Sequence, residues 1–210
     1  MLPRTAKVII SLLLSAAAVV LYCTRKGKLR KQCMIAMLLC TVGDVFMVNL
    51  FPIGEVSTFI GAAFFMAGHV VYGTGFLRAA VRKGYAVKNR GFSAGIALVI
   101  LSAVLLGVLA FAVPAKPQTL MYFLILIYVA VIGYNLALQF SYAHSEKGLR
   151  YLTALGMGLF LISDFVIFLN MLDVTPAHND FVWATYIPAQ ALVILFCDRL
   201  KRPDHQDEQP

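Results

Sequence analysis

Leu38-Leu39-Cys40-Thr41-Val42-Gly43-Asp44-Val45-Phe46-Met47 sets one acid deep in an apolar run that extends from Cys33 to Phe51. A charged side chain at the centre of a spanning helix costs about 2.5–3.5 kcal/mol on insertion scales, so an intramembrane Asp marks a functional site with a partner to be found. Outward from this stretch the chain has the same character. Of its 210 residues, 60% are hydrophobic and 13% charged, against about 25% charged in a soluble domain.

Hydrophobic runs of about twenty residues cross a hydrocarbon core of about 30 Å as helices. Seven are present: Lys7 to Cys23, Cys33 to Phe51, Ser57 to Leu77, Phe92 to Val113, Thr119 to Gln139, Leu149 to Met171 and Phe181 to Cys197. The predicted fold is therefore an all-α membrane protein, a single bundle of seven transmembrane helices over residues 1–198, with a short charged tail over 199–210. Connections carry breakers, notably Pro52-Ile53-Gly54 and Pro114-Ala115-Lys116-Pro117. The first run is a spanning helix rather than a signal peptide: bulky Val20, Leu21 and Tyr22 leave no small-residue cleavage site, and five positive charges follow. Pairs of small residues four apart, Ala63 with Ala67 and Ala154 with Gly158, are expected to let helices approach closely.

The net charge of +8 does not point to nucleic acid, because the basic residues lie in short clusters between apolar runs. All but three of the 18 Lys and Arg residues (Arg4, Lys7 and Lys116) fall on one side of the predicted bundle. The positive-inside rule then puts the N-terminus outside and the C-terminus in the cytoplasm. Cys23, Cys33, Cys40 and Cys197 have no metal-type spacing and are expected to be buried, reduced thiols. Neither a cofactor nor a metal is expected. The compact chain points to a bacterial cytoplasmic membrane, with the endoplasmic reticulum the alternative; oligomeric state is not legible.

At about 1.5 Å per helical residue, Asp44 lies roughly 19 Å up from the cytoplasmic side and Asp164 roughly 21 Å. Tyr186 and Gln190, four residues apart and so on one face, descend from the outer side into the same layer. His69, with Tyr72 three residues on, comes about one turn deeper. No Lys or Arg is placed at that depth, so the two carboxylates do not read as an ion pair. Asn135, Gln139, Tyr128 and Tyr142 form a second stripe whose expected role is interhelical hydrogen bonding, and Asn49 and Asn170 are taken as solvated helix ends.

Three converging zinc ligands, a Gly-x-Ser-x-Gly elbow, a Schiff-base lysine in the last helix and a phosphate loop are all missing from the sequence. Carboxylate acid–base chemistry remains, suited to an acid-labile bond. A proton-coupled small-molecule or lipid transporter would use the same acids.

Leu39 to Phe46 around Asp44, Phe64 to Tyr72 around His69, Gly158 to Phe165 around Asp164, and Ala184 to Gln190 resemble, in order and spacing, four signature helices of the YhhN-like lysoplasmalogenases. The resemblance implies a membrane enzyme that hydrolyses the vinyl ether of a lysophospholipid, releasing a fatty aldehyde and a glycerophospho-headgroup. It implies Asp44 and Asp164 as the catalytic pair, and His69, Tyr72, Tyr186 and Gln190 as substrate-binding residues. Its partners would be the lysolipid and the surrounding membrane lipids, with the headgroup near Glu55, Asp173 and Trp183. Family members usually have eight helices, with a Lys-Pro pair opening the second; here Arg4 and Lys7 have no following Pro and the first helix has no counterpart.

Overall fold

The computed structural model describes residues 3–51, 53–54, 56–112, 119–171 and 179–197. Pro52, Glu55, the Pro114–Pro117 stretch, Asp173, His178 and the tail from Asp198 onward lie outside these residues. Among the described residues the chain is all helical: α1 Arg4–Thr24, α2 Lys28–Met47, α3 Val56–Arg82, α4 Arg90–Ala112, α5 Thr119–Glu146, a single 3-10 turn Gly148–Arg150, α6 Tyr151–Met171 and α7 Asn179–Phe196. Five of these regions, in α1, α3, α4, α5 and from Gly148 through α6, are long and apolar enough to cross a membrane. The apolar part of α7 is shorter, and α2 carries Lys28, Arg30, Lys31 and Asp44 within its 20 residues. The chain is an integral membrane protein.

Local chemistry sets the helix ends. Asn49, at φ 54°, stops α2 in the left-handed conformation that Asn tolerates better than most residues. Gly84, at φ +69°, closes α3: Tyr85 N–H donates to Ala80 O at 3.0 Å and Gly84 N–H to Val81 O at 3.0 Å, the paired bonds of a Schellman cap. Asn89 caps α4 by accepting from Phe92 N–H at 3.0 Å. Its amide also donates to Ser141 O and Ser145 Oγ, tying the α3–α4 connection to α5. At the same end of the bundle Lys83 bridges Glu146 at 2.5 Å and reaches Tyr142 at 3.1 Å. Compared with the apolar runs, α2 begins five residues earlier, and α3 and α5 continue to Arg82 and Glu146. These extra turns are polar, so hydropathy does not register them.

Six helices close into a ring: α1 packs on α2, α2 on α3, α3 on α5, α5 on α6, α6 on α7, and α7 returns to α1 and α2. The fourth helix stands outside, against α5 and touching α6, and it leaves Ile100, Leu101, Val104 and Val108 exposed. Glycine, not alanine, makes the closest approaches. A Cβ on Gly61 would lie 2.8 Å from Met47 Cγ, one on Gly68 2.8 Å from Cys40 Sγ, and one on Gly156 2.8 Å from Ala189 O.

The expected Ala63–Ala67 contact is not made: both residues are exposed, because the buried face of α3 runs through Gly61, Phe65, Gly68 and Tyr72. Gly158 likewise has nothing near its missing Cβ. Cys33, Cys40 and Cys197 are buried free thiols, but Cys23 is exposed near the end of α1.

A Cβ on Gly95 would sit 2.6 Å from Ala137 Cα, so Gly95→Val must push α4 off α5 and is expected to lose about 1–3 kcal/mol. Gly107→Ala, with open space around it, is the control and should not destabilise. Reversible SDS unfolding in mixed micelles measures both; equal stability of the two variants would contradict this packing.

Candidate functional site

A polar stripe on the inner face of α1 is where the site begins. Its buried residues are Lys7, Ser11, Ser15 and Ala18, three or four positions apart and so on one face. Ser11 Oγ donates to Asp44 Oδ2 at 2.6 Å. One turn further along, Ser15 and Thr41 share a hydrogen bond of 2.6 Å. The same Asp44 oxygen accepts from Tyr186 O–H of α7 at 2.8 Å. Gln190, one turn below Tyr186, accepts from Tyr72 O–H of α3 at 2.8 Å and donates to the Tyr186 oxygen at 3.4 Å. The Asp44 carboxylate is therefore held by hydroxyls from two neighbouring helices and indirectly by a third.

Asp164 has its own branch. Tyr128 O–H of α5 donates to its Oδ2 at 2.9 Å, and His69 Nε2 of α3 stands 3.7 Å from the same atom. Asn135 Nδ2 contacts His69 Nδ1 at 3.1 Å. With the amide as donor, the proton of a neutral His69 ring is on Nε2, on the Asp164 side. Gln139 Nε2 in turn donates to Asn135 Oδ1 at 3.1 Å. Phe160 lies between the branches, edge-on to His69 at 4.5 Å and to Tyr186 at 5.2 Å between ring centroids.

Both acids border one cavity of about 410 Å³. Its floor includes Asp44, Asp164 and Tyr186, which are buried, and its lining rises to Arg4 and Asn49, which are exposed and so mark the mouth. Lys7, Phe65, Ser163 and Trp183 complete much of the wall. A smaller crevice bordered by Thr58, Ala62, Tyr128 and Phe168 meets it across Met47, Phe65, Ile167 and Asp164. The main cavity falls within the range of small-molecule sites, about 300–1,000 Å³.

Of the six residues singled out in the sequence, Asp44, Asp164 and Tyr186 line this cavity. His69, Tyr72 and Gln190 do not. They are sealed behind it, almost without exposure, because α3 turns His69 and Tyr72, and α7 turns Gln190, towards neighbouring helices; what they do is fix the orientation of the acids and of Tyr186. The expectation that no Lys or Arg lies at the depth of the acids did not foresee that cations one or two turns away would share their cavity. Arg4 and Lys7 line the same cavity as the acids, although among the described residues neither pairs with them. Residues at different heights along their helices thus border one space.

Tyr128 and Asn135 make the interhelical bonds expected of their stripe, but the bonds lead to Asp164 and His69. Asn49 and Asn170 border the cavity mouth rather than serving only as solvated ends. The sequence reading did not find Ser11, Ser15 or Thr41. The available signal was Lys7-Ser11-Ser15, a polar repeat of four in an otherwise apolar helix.

The YhhN family model matches residues 3–196. The chain belongs to the YhhN family, the lysoplasmalogenase family. Comparison with curated proteins and with solved structures gives no match. Membership makes this YhhN-family chain, at family level, a lysoplasmalogenase-like membrane hydrolase.

The buried chain behind Asp164 can be tested without substrate. Removing one amide leaves buried partners unsatisfied, at about 1–3 kcal/mol. A double-mutant cycle of Asn135→Ala and Gln139→Ala is expected to return a coupling of at least about 0.5 kcal/mol in SDS unfolding. Strict additivity would mean that the two amides do not act together.

Proposed function

We propose that this chain hydrolyses the vinyl ether of lysoplasmalogen, or of a related lysolipid, using Asp44 and Asp164 as its acid–base pair. The observation that carries the reading is that carboxylates from α2 and α6 border one cavity whose mouth is polar. In this reading all seven helices span, the N-terminus is outside, and the membrane is a bacterial cytoplasmic membrane. The lysolipid reaches the cavity from the outer leaflet, headgroup towards Trp183 and vinyl ether at the acids.

The chemistry needs one proton delivered to carbon and one water. The carboxylic acid of the pair protonates the β-carbon of the enol ether, converting the C=C–O unit to an oxocarbenium ion. The other carboxylate faces that cation and accepts a proton from the attacking water, giving a hemiacetal. Collapse breaks the C–O bond to the glycerol: the hemiacetal O–H gives its proton to the first, now ionised carboxylate, the glycerol oxygen takes one from the second, and the fatty aldehyde leaves. The protons taken and given balance, as in the two-carboxylate hydrolysis of glycosides. Hydroxyls of Ser11, Tyr186 and Tyr128 on the two Oδ2 atoms keep each carboxyl plane fixed, so neither has to reorganise as charge develops.

Asp44→Asn and Asp164→Asn are each expected to lower kcat for aldehyde release from lysoplasmalogen by about 10²–10⁴-fold. If wild type releases no aldehyde but moves a solute or lipid across liposomes in a manner that needs both acids, the transporter reading replaces this one.

Orientation has a separate test. With Cys23 replaced by Ser, a cysteine at Ile53, which is exposed, should react with an impermeant maleimide on intact cells, and one at Ala86 should react only after lysis. The reverse pattern would invert the topology.

A further inference from the structure

The acids account for the floor of the cavity but not for its cations. Lys7 is only 7% exposed, lines the cavity, and forms no ion pair with any carboxylate among the described residues. Its Nζ lies 5.7 Å from the centroid of the Trp183 ring. Arg4 lines the same cavity nearer the mouth, three residues away and so on the same face of α1. Burying an ammonium without an anion is unfavourable, and a second cation beside it adds repulsion. The pair makes physical sense when an anion lies between them.

We infer that Arg4 and Lys7 form a subsite for the phosphodiester of the lysolipid headgroup, about one helical turn on the mouth side of the acid layer. This rests on the hydrolase reading only for the identity of the amphiphile. The register of α1 supplies the spacing. Ser11 holds Asp44, and Lys7 is four residues before Ser11, a rise of about 6 Å towards the mouth. In a glycerophospholipid the chain-bearing oxygen on one end of the glycerol is five bonds from the phosphorus, also about 6 Å when extended. A phosphate held at Lys7 therefore brings that oxygen to the level of Asp44.

The cations answer an electrostatic problem as well. Two carboxylates on the floor repel a phosphate, and the positive side chains at the mouth offset that repulsion. The N-terminus of α1 starts at Arg4 and adds the positive end of its macrodipole there. Arg4 contributes a planar fork that matches two phosphate oxygens, while Lys7 contributes a point charge.

The one tryptophan of the chain, Trp183, lies on this wall and reports occupancy by its fluorescence. Purified protein in phosphate-free detergent is titrated with a saturated-alkyl ether analogue of lysophosphatidylcholine, which has no vinyl ether to cleave, and with the matching alkylglycerol. The phosphodiester analogue is expected to bind at least about tenfold more tightly, the scale of a charge-assisted hydrogen bond. Lys7→Met and Arg4→Gln should each reduce that preference, and Lys7→Arg should retain it.

Equal affinity of the two amphiphiles for wild type, a comparison that needs no variant to fold, would overturn the subsite. So would an undiminished preference in the Arg4→Gln, Lys7→Met double variant. If inorganic phosphate gives the same response at the same concentration as the lipid analogue, the headgroup assignment is wrong and the site is one for free phosphate. Aldehyde release is measured in parallel: a protein that shows the expected preference but never releases aldehyde keeps the subsite and loses the vinyl ether chemistry.

Discussion

Two carboxylates are buried in the bundle among hydroxyls, amides and an imidazole drawn from its other helices, and the arrangement of the ring follows from satisfying them. Asp44 takes hydroxyls from α1 and α7; Asp164 takes one from α5 and faces an imidazole from α3. The third helix serves both branches, through Tyr72 to Gln190 and through His69 to Asp164, because positions three apart point nearly the same way. Every helix of the ring thus contributes a polar atom to the network, and among the described residues the helix that stands outside the ring contributes none. In an apolar medium, packing contacts between helices compete with equivalent contacts to lipid. Directional bonds to two buried acids are far harder for a wrong arrangement to reproduce.

What the sequence made legible was set by length and by isolated polarity. Long apolar runs gave the helices, and their ends erred where polar turns such as Lys28 to Lys31 extend a helix beyond its apolar part and where α2 stops at Met47, ahead of the end of its apolar run at Phe51. Asp44, Asp164 and Tyr186 stood out because each is a strongly polar group in an apolar run, and counting residues from a common surface put them near one another. The inner face of α1 was less visible. Serine scarcely lowers a hydropathy average, and Lys7, close to the start of the chain, read as a topology signal. The outlying position of α4 was equally hidden, since a helix apolar on all sides does not say which face meets protein. On α3 the choice of Ala63 and Ala67 failed because small residues occur on both faces there, and it is Gly61 and Gly68, not the alanines between them, that share the inward face with Phe65 and Tyr72.

The same network explains where apolarity is weakest. The helices that bring most of the chemistry are α2, with Asp44, and α7, with Tyr186 and Gln190, and these are the two that fall short of a long apolar span. In α7 Pro188 also lies between the two functional residues, where it has no N–H for the carbonyl of Ala184. Each gives up favourable transfer into lipid in order to carry polar groups inside. Neither is left to stand alone: α2 is packed between α1 and α3, and α7 between α6 and α1, and all three of these neighbours are long and apolar enough to cross a membrane. A helix with an internal acid is stabilised in the bilayer by neighbours that supply hydroxyls to that acid, so its membrane insertion and the assembly of the site are one process. The chemistry can therefore sit on the least apolar helices without destabilising the bundle, provided that the strongly apolar ones form its frame.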